Sequence, residues 1–210
     1  MKKILKRFFS FLIMLVLAFA LVQFGPNLYM RFFGEQNARW ISERFSETLK
    51  EKNELVVYEI ETTGQETVTQ DAWLLGTVQK VELPYDFRMS FTVDLSSAQV
   101  EVAENVICVR VPAPSAGYQK LTVDENNIRK NDWLYPLTPE RYEQMKQQVE
   151  GKLFDEYRAN EAYCQQAWNV TVHNLQKLFR AVTDQSLFGD AYEIQIIQDD
   201  SLIQPTQTIE

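Results

Sequence analysis

The hydrophobic positions of the chain begin with a long run that contains no charge. Residues 8–24 form the sequence FFSFLIMLVLAFALVQF, in which Ser10 and Gln23 are the polar positions. Together with Ile4 and Leu5, this run is about as long as the ~20 residues that an α-helix needs to cross the hydrocarbon core of a bilayer. So long a charge-free run argues against a buried core helix. The pattern therefore predicts a transmembrane helix.

Four basic residues stand on the N-terminal side of this run: Lys2, Lys3, Lys6 and Arg7. The positive-inside rule places such residues in the cytoplasm. Residues 1–24 are therefore predicted to be a basic cap and a single-pass signal anchor in the cell membrane. Cleavage after Ala20 is the alternative, because Ala18-Phe19-Ala20 matches the small-x-small pattern of signal peptides. We favour the uncleaved anchor, since apolar residues continue through Leu21 and Val22.

A helical period follows the anchor. The tripeptide Gly25-Pro26-Asn27 breaks the first helix. Apolar residues then recur with the spacing of one helix face, at Ala38, Ile41, Phe45 and Leu49. We expect residues 25–54 to form a juxtamembrane stalk helix that packs partly against the domain beyond it.

Beyond the stalk the period changes to two, which is typical of half-buried strands. Leu55–Ile60 is predicted to be a strand, Thr63–Gln65 a turn, and residues 74–83 a second extended stretch. The clearest alternation is in Phe87–Leu95, where odd-numbered apolar residues face one way and polar residues the other. This favours an antiparallel sheet with one buried face. Residues 100–111 are predicted to form a hairpin.

A long helix is predicted to begin at Thr138-Pro139-Glu140. These residues supply a hydroxyl cap, a proline at the first helical position and an acid near the positive end of the helix dipole. The apolar stripe continues as far as Val182. An unbroken helix of this extent would be on the order of 65 Å long, more than a compact domain of this size accommodates. We therefore expect a bend near Gly151 or around Asn160, or a helix that projects from the sheet.

These elements predict an α+β fold. It consists of the transmembrane helix, the stalk helix, an antiparallel β-sheet of about five to seven strands, a long C-terminal helix that is either bent or projects from the sheet, and a final short strand at residues 192–196. The domain is assigned to residues 55–198. The orientation of the anchor places it outside the cytoplasm. Residues 199–210 are predicted to be a flexible tail.

The order of these elements, with two short motifs, resembles a known family. Val93-Asp94-Leu95-Ser96 ends a strand, and Val111-Pro112-Ala113-Pro114 ends the hairpin before the long helix. Over most of residues 40–198 the chain resembles the bacterial membrane-anchored family called domain of unknown function 4230. Members carry a glycine shortly before the Asp-Leu pair, where this chain has Phe91 or Thr92. The resemblance implies a membrane-anchored topology and no particular activity.

The charge of the chain is distributed unevenly. Four of the 21 Lys and Arg residues precede the anchor, so the rest of the chain has 17 basic residues against 29 Asp and Glu, a net charge of −12. A surface of this sign repels phosphate backbones. Nucleic acid is therefore excluded as a partner.

Few residues are candidates for chemistry. His173 is the single histidine, and it lies in the predicted long helix, where a surface or half-buried side chain is expected. One histidine and two distant cysteines lack the ligand spacing of a zinc site. Asp124-Glu125-Asn126-Asn127 lacks the glycine and the terminal glutamate of a calcium loop. We therefore predict a turn there, and neither a metal nor a cofactor in the protein.

Two further features leave alternatives open. Cys108 and Cys164 are an even pair in a compartment where a disulfide can persist, so they are either bonded or two buried free thiols. Glu161 stands where the stripe of the long helix is expected to be apolar. A buried carboxylate there would be the candidate functional residue, because burial favours its protonated form. A bend in the helix would instead leave Glu161 in water.

Two functional hypotheses follow. The first is a non-enzymatic, membrane-tethered interaction or scaffold module of the bacterial cell envelope, with the lipid bilayer, a protein or a second copy of the long helix as partners. The alternative is an extracytoplasmic hydrolase or carbohydrate-active enzyme that uses paired carboxylates. A pocket that holds two carboxylates roughly 5–10 Å apart is the feature that would favour the enzyme.

Overall fold

The computed structural model describes residues 14–15, 19, 34–103, 105–131, 136–185 and 191–202. The α+β class is confirmed. Its three long helices are α1 over residues 34–52, α2 over Pro139–Arg158 and α3 over Glu161–Thr183. Its strands are β1 (Glu54–Ala72), β2 (Gly76–Asp94), β3 (Gln99–Ala103), β4 (Val106–Val111), β5 (Ser115–Val123), β6 (Arg129–Asn131) and β7 (Glu193–Gln198).

The strands form two sheets rather than one. In the first sheet, β2 lies between β1 and β5 and also pairs with the short β6, and every pairing is antiparallel. In the second sheet, β4 lies between β3 and β7. The predicted final short strand corresponds to β7, which runs parallel to β4. The chain returns to β4 only after α2 and α3, and such a long crossover allows the parallel direction.

The first two strands form a hairpin much longer than predicted. β1 continues through Thr63–Gln65, so the turn predicted there is wrong, and Gly64 pairs with Tyr85 across the ladder. The real turn lies at residues 73–75, where the Leu75 N–H donates to the Ala72 carbonyl at 3.1 Å. Gly76 follows the turn with a φ of 71°, a conformation that favours glycine.

The predicted helix start and break are both confirmed. The Thr138 hydroxyl accepts a hydrogen bond from the Arg141 N–H at 3.3 Å, and Pro139 is the first residue of α2. The long helix breaks at Asn160, whose side chain accepts from the Ala162 N–H at 3.0 Å and so starts α3. Gly151, the other predicted position, lies inside α2 without a break.

The four stripe residues of α1 are buried in the same hydrophobic core as the sheets, with at most 1% of each exposed: Ala38, Ile41, Phe45 and Leu49. The ring of Phe45 meets that of Phe179 on α3 edge to face, at 5.5 Å between centroids. At the start of α1, the Tyr192 hydroxyl donates to the Gly34 carbonyl at 2.8 Å. The predicted stalk helix therefore packs closely against the rest of the fold.

The two C-terminal helices connect the β1–β2 hairpin to the start of α1. The Arg141 guanidinium of α2 donates to Gln70 near the turn of the hairpin, and Tyr163 of α3 packs against Tyr58 near the beginning of β1. The other end of α3 lies beside Tyr192, which contacts the start of α1. The hairpin turn therefore lies near the start of α2, and the start of α1 lies near the end of α3.

Most of the predicted anchor lies outside the described residues. Met14, Leu15 and Phe19, which are described, are helical and exposed. Among the described residues, no helix has both the length and the hydrophobicity that crossing a bilayer requires. The predicted tail is described as far as residue 202, where Asp200–Leu202 forms a 3-10 turn.

Candidate functional site

Glu161 does not occupy the buried position that would have made it a functional candidate. It lies in the first turn of α3, directly after the cap at Asn160, and its side chain is exposed. The break between α2 and α3 rotates the stripe, so the position that a continuous helix would have turned inward faces water. The hypothesis of a buried carboxylate at Glu161 is therefore wrong.

The other candidates are also separate from one another. His173 is exposed on α3. Cys108 and Cys164 are both free and half-buried, and the Cys164 thiol donates to the Arg158 carbonyl at 3.4 Å. Asp124 caps a 3-10 turn by accepting from the Asn126 N–H at 3.2 Å, which confirms the predicted turn. No group of three or more His, Cys, Asp and Glu side chains within the described ranges is placed to hold a metal ion.

A groove of about 480 Å³ lies on the first sheet, on the face turned away from α2. We call it the sheet groove and define it by the six residues whose side chains lie on that face: Val56, Glu59, Glu61, Arg88, Ser90 and Tyr118. Two irregularities shape it, because β1 has a bulge between Val56 and Tyr58, and β5 has a register shift opposite Ser90. Bulges bend strands and redirect side chains, and here they open a hollow in the sheet.

The sheet groove combines apolar walls with charge. Val56 is 52% exposed and Tyr118 63% exposed, so both present apolar surface to solvent. Arg88 donates to the Glu61 carboxylate at 2.6 Å across the two strands. Glu59, two residues before Glu61 on the same strand, is also exposed. The groove can therefore accept a partly aromatic, partly polar group without any rearrangement of a lid.

Glu59 and Glu61 are spaced as the enzyme hypothesis requires, but they are not arranged as a glycosidase pair. Residues two apart on a strand lie roughly 7 Å apart, within the range for a glycosidase pair. Such enzymes, however, place their carboxyl groups on either side of the bond to be cut and keep one of them protonated in an apolar setting. Glu59 and Glu61 stand side by side in water, and Glu61 is paired with Arg88.

Among the described residues from 34 onward, the most exposed large apolar side chains lie at the turn between β1 and β2. Trp73 is 96% exposed, Leu74 is 72% exposed and Leu75 is 64% exposed. We call these three residues the apolar tip. Three adjacent exposed apolar side chains at the end of a structured hairpin are typical of an interaction site.

Helix α2 braces the hairpin behind the apolar tip. The Lys152 ammonium donates to both carboxylate oxygens of Glu66 at 2.9 Å, and this hydrogen bond raises the pKa of Lys152. Nearer the turn, Arg141 donates to Gln70 at 3.1 Å. Val78 and Gln79 on the returning strand are almost fully buried. The apolar tip therefore lies at the end of a hairpin that contacts with α2 hold in place.

Sequence reasoning missed both surfaces. The prediction of one extended stretch over residues 74–83 overlaps the turn at residues 73–75 and so obscures it. A signal was present, because Trp-Leu-Leu-Gly stands between two stretches of alternating residues. The sheet groove had no comparable signal, since its walls come from three strands and two bulges.

Comparison of the chain with protein-family models, with curated proteins and with solved structures found no match. The resemblance to domain of unknown function 4230 therefore stays a prediction.

Proposed function

We propose that this chain is a membrane-tethered interaction module of the bacterial cell envelope, with its α+β domain outside the cytoplasm and its apolar tip as the contact site for another macromolecule. The observation that carries the proposal is the exposure of Trp73, Leu74 and Leu75 at the end of a braced hairpin.

The apolar tip contributes little to the folding of the chain that carries it. Burying a large apolar side chain stabilises a protein by about 1.5–3 kcal/mol. Because these three side chains stay mostly exposed, they contribute little of this free energy to folding. The same free energy, on the order of 5 kcal/mol in total, becomes available when a partner covers them. Exposure of this kind is therefore better explained by binding than by folding.

The position of the tip also supports the proposal. Helix α1 begins at Gly34, next in the chain to the predicted anchor, and its start contacts Tyr192 beside the end of α3, whereas the tip lies near the start of α2. Trp73 lies at the far end of β1, on the order of 60 Å along the strand from Glu54, where the chain leaves α1. A module held by its N-terminus would therefore display the tip away from the C-terminal end of α1. The anchored topology implied by the family resemblance fits this arrangement.

Site-specific photocrosslinking tests the proposal. A photoreactive phenylalanine analogue is placed at position 73 of the full chain, expressed in its own cells, and at position 47 as the control. Glu47 is also exposed, with 62% of its side chain accessible, but it lies on α1 away from the tip. We expect a discrete adduct from position 73 and none from position 47. Absence of an adduct at 73, or the same adduct from both positions, would contradict the proposal.

A further inference from the structure

We propose that the partner of the apolar tip is a second copy of this chain, whose sheet groove receives Trp73, so that the copies associate head to tail. This inference rests on the proposed function, because it names the partner of the same tip. It follows from two exposed apolar features of one chain, a protrusion and a hollow, that fit each other in chemistry but cannot meet within the chain.

The chemistry of the groove suits an indole. Tyr118 offers an aromatic surface, and aromatic pairs contribute beyond the area that they bury. The Arg88 guanidinium lies in the same wall and can face the ring as a cation–π partner. A buried indole N–H needs an acceptor, and the exposed carboxylate of Glu59 supplies one. The exposed side chain of Val56 adds an apolar contact surface for a leucine.

The contact cannot form within one molecule. Glu59 and Trp73 are fourteen positions apart by their numbers, along β1 and into the turn that follows it, which separates them by roughly 45 Å. The ladder between β1 and β2 continues without a gap from the groove to the turn, apart from one shift beside the turn. The tip can therefore fill only the groove of another copy.

A tip that binds a different surface on the next copy makes a heterologous contact, which leaves one free tip and one free groove at the ends of every assembly. Covering one Trp and two Leu side chains buries on the order of 400 Å² on each partner. The total is below the size of stable interfaces, so the contact is weak in dilute solution. Tethering to a membrane raises the effective concentration of the copies and favours association there.

Sedimentation velocity of the full chain in detergent, over a series of concentrations, tests the inference. The tip variant carries Trp73→Ser, Leu74→Ser and Leu75→Ser, and the groove variant carries Val56→Asp and Tyr118→Asp. All five positions are exposed, so both variants are expected to fold. Trp40→Ser is the control, because Trp40 is 43% exposed and lies outside both surfaces.

We expect the wild type and the control to form dimers and larger species as the concentration rises. Each of the two surface variants alone should associate at least tenfold more weakly. An equal mixture of the tip variant and the groove variant should form dimers but nothing larger, because one copy retains only a groove and the other only a tip. This complementation distinguishes a tip-to-groove contact from association through the anchor.

Three results would overturn the inference: a wild type that stays monomeric at every concentration, a tip variant that associates as the wild type does, or a mixture that forms no dimer. A different result, the absence of an adduct at position 73, would contradict the proposed function. If position 73 crosslinks to a different protein while the purified chain stays monomeric, self-association is wrong and the interaction module stands.

Discussion

The phenol ring of Tyr85 on β2 lies directly against Gly64, its cross-strand partner on β1. A Cβ atom at position 64 would stand 2.7 Å from the Tyr85 hydroxyl oxygen and 2.8 Å from the ring carbon that bears it. Glycine therefore occupies this position because the ring needs the space, and the strand continues through it to the apolar tip.

Replacing Gly64 by alanine is expected to lower the free energy of unfolding by about 1–2 kcal/mol, because the added methyl forces the Tyr85 ring away from the strand. The matched control is Gly151→Ala. Gly151 lies inside α2 with no atom within 4 Å of the added Cβ, so alanine there should stabilise the chain by about 0.5–1 kcal/mol. Urea unfolding of the full chain in detergent measures both, and changes of the same sign would contradict the close contact at Gly64.

The packing of α1 against the rest of the fold predicts a large effect at Phe45. Phe45→Ala removes a fully buried ring that contacts Phe179, so the free energy of unfolding should fall by about 3–5 kcal/mol. Glu47→Ala on the exposed face of the same helix should change it by less than about 0.5 kcal/mol. Loss of only the α1 signal, with the sheets unfolding as in the wild type, would show instead that the helix is a separate stalk.

Acid sensitivity is predicted at the pair formed by Lys80 and Glu82. A hydrogen bond from the Lys80 ammonium, at 2.8 Å, lowers the pKa of Glu82. A carboxyl whose pKa is lower in the folded state stabilises the fold above its unfolded pKa, and this contribution is lost as the pH falls through the folded pKa. Both values lie in the acid range, at and below about 4.3.

Glu82→Gln removes this titration. The wild type is therefore expected to lose more stability than the variant between about pH 6 and pH 3, with a small difference because the pair is at the surface. Chemical unfolding of both proteins at a series of pH values checks this expectation. Parallel stability curves for the wild type and the variant would rule out the contribution of Glu82.

Local sequence patterns predicted much of the fold correctly. The alternation in Phe87–Leu95 predicted its buried face, and Phe87, Met89, Phe91, Val93 and Leu95 are all at most 1% exposed. The caps at Thr138 and Asn160 are short-range interactions, so the helix start and one of the two expected break positions were correct. Gly64 was mistaken for a turn because glycine favours turns locally, and the need for space came from Tyr85, which lies far along the chain.

Local sequence patterns could not predict the features that depend on contacts between residues far apart in the chain. The parallel pairing of β4 with β7 joins segments more than eighty positions apart, and neither strand carries a signal for its direction. The sheet groove likewise depends on the register of three strands. Of the two alternatives for Glu161, the structure bears out the second, because the break at Asn160 places its side chain in water rather than on the apolar stripe.

Labelling of a cysteine introduced at position 73 in intact cells tests most directly whether an anchored chain displays its tip outside the membrane. The chain carries Trp73→Cys with Cys108→Ala and Cys164→Ala, is treated with a membrane-impermeant maleimide, and is recovered from the membrane fraction. We predict that the introduced thiol is labelled before the cells are lysed and that the labelled chain stays in the membrane with its N-terminus intact. Labelling only after lysis, or a labelled chain that begins at Leu21 and leaves the membrane, would contradict the proposed function.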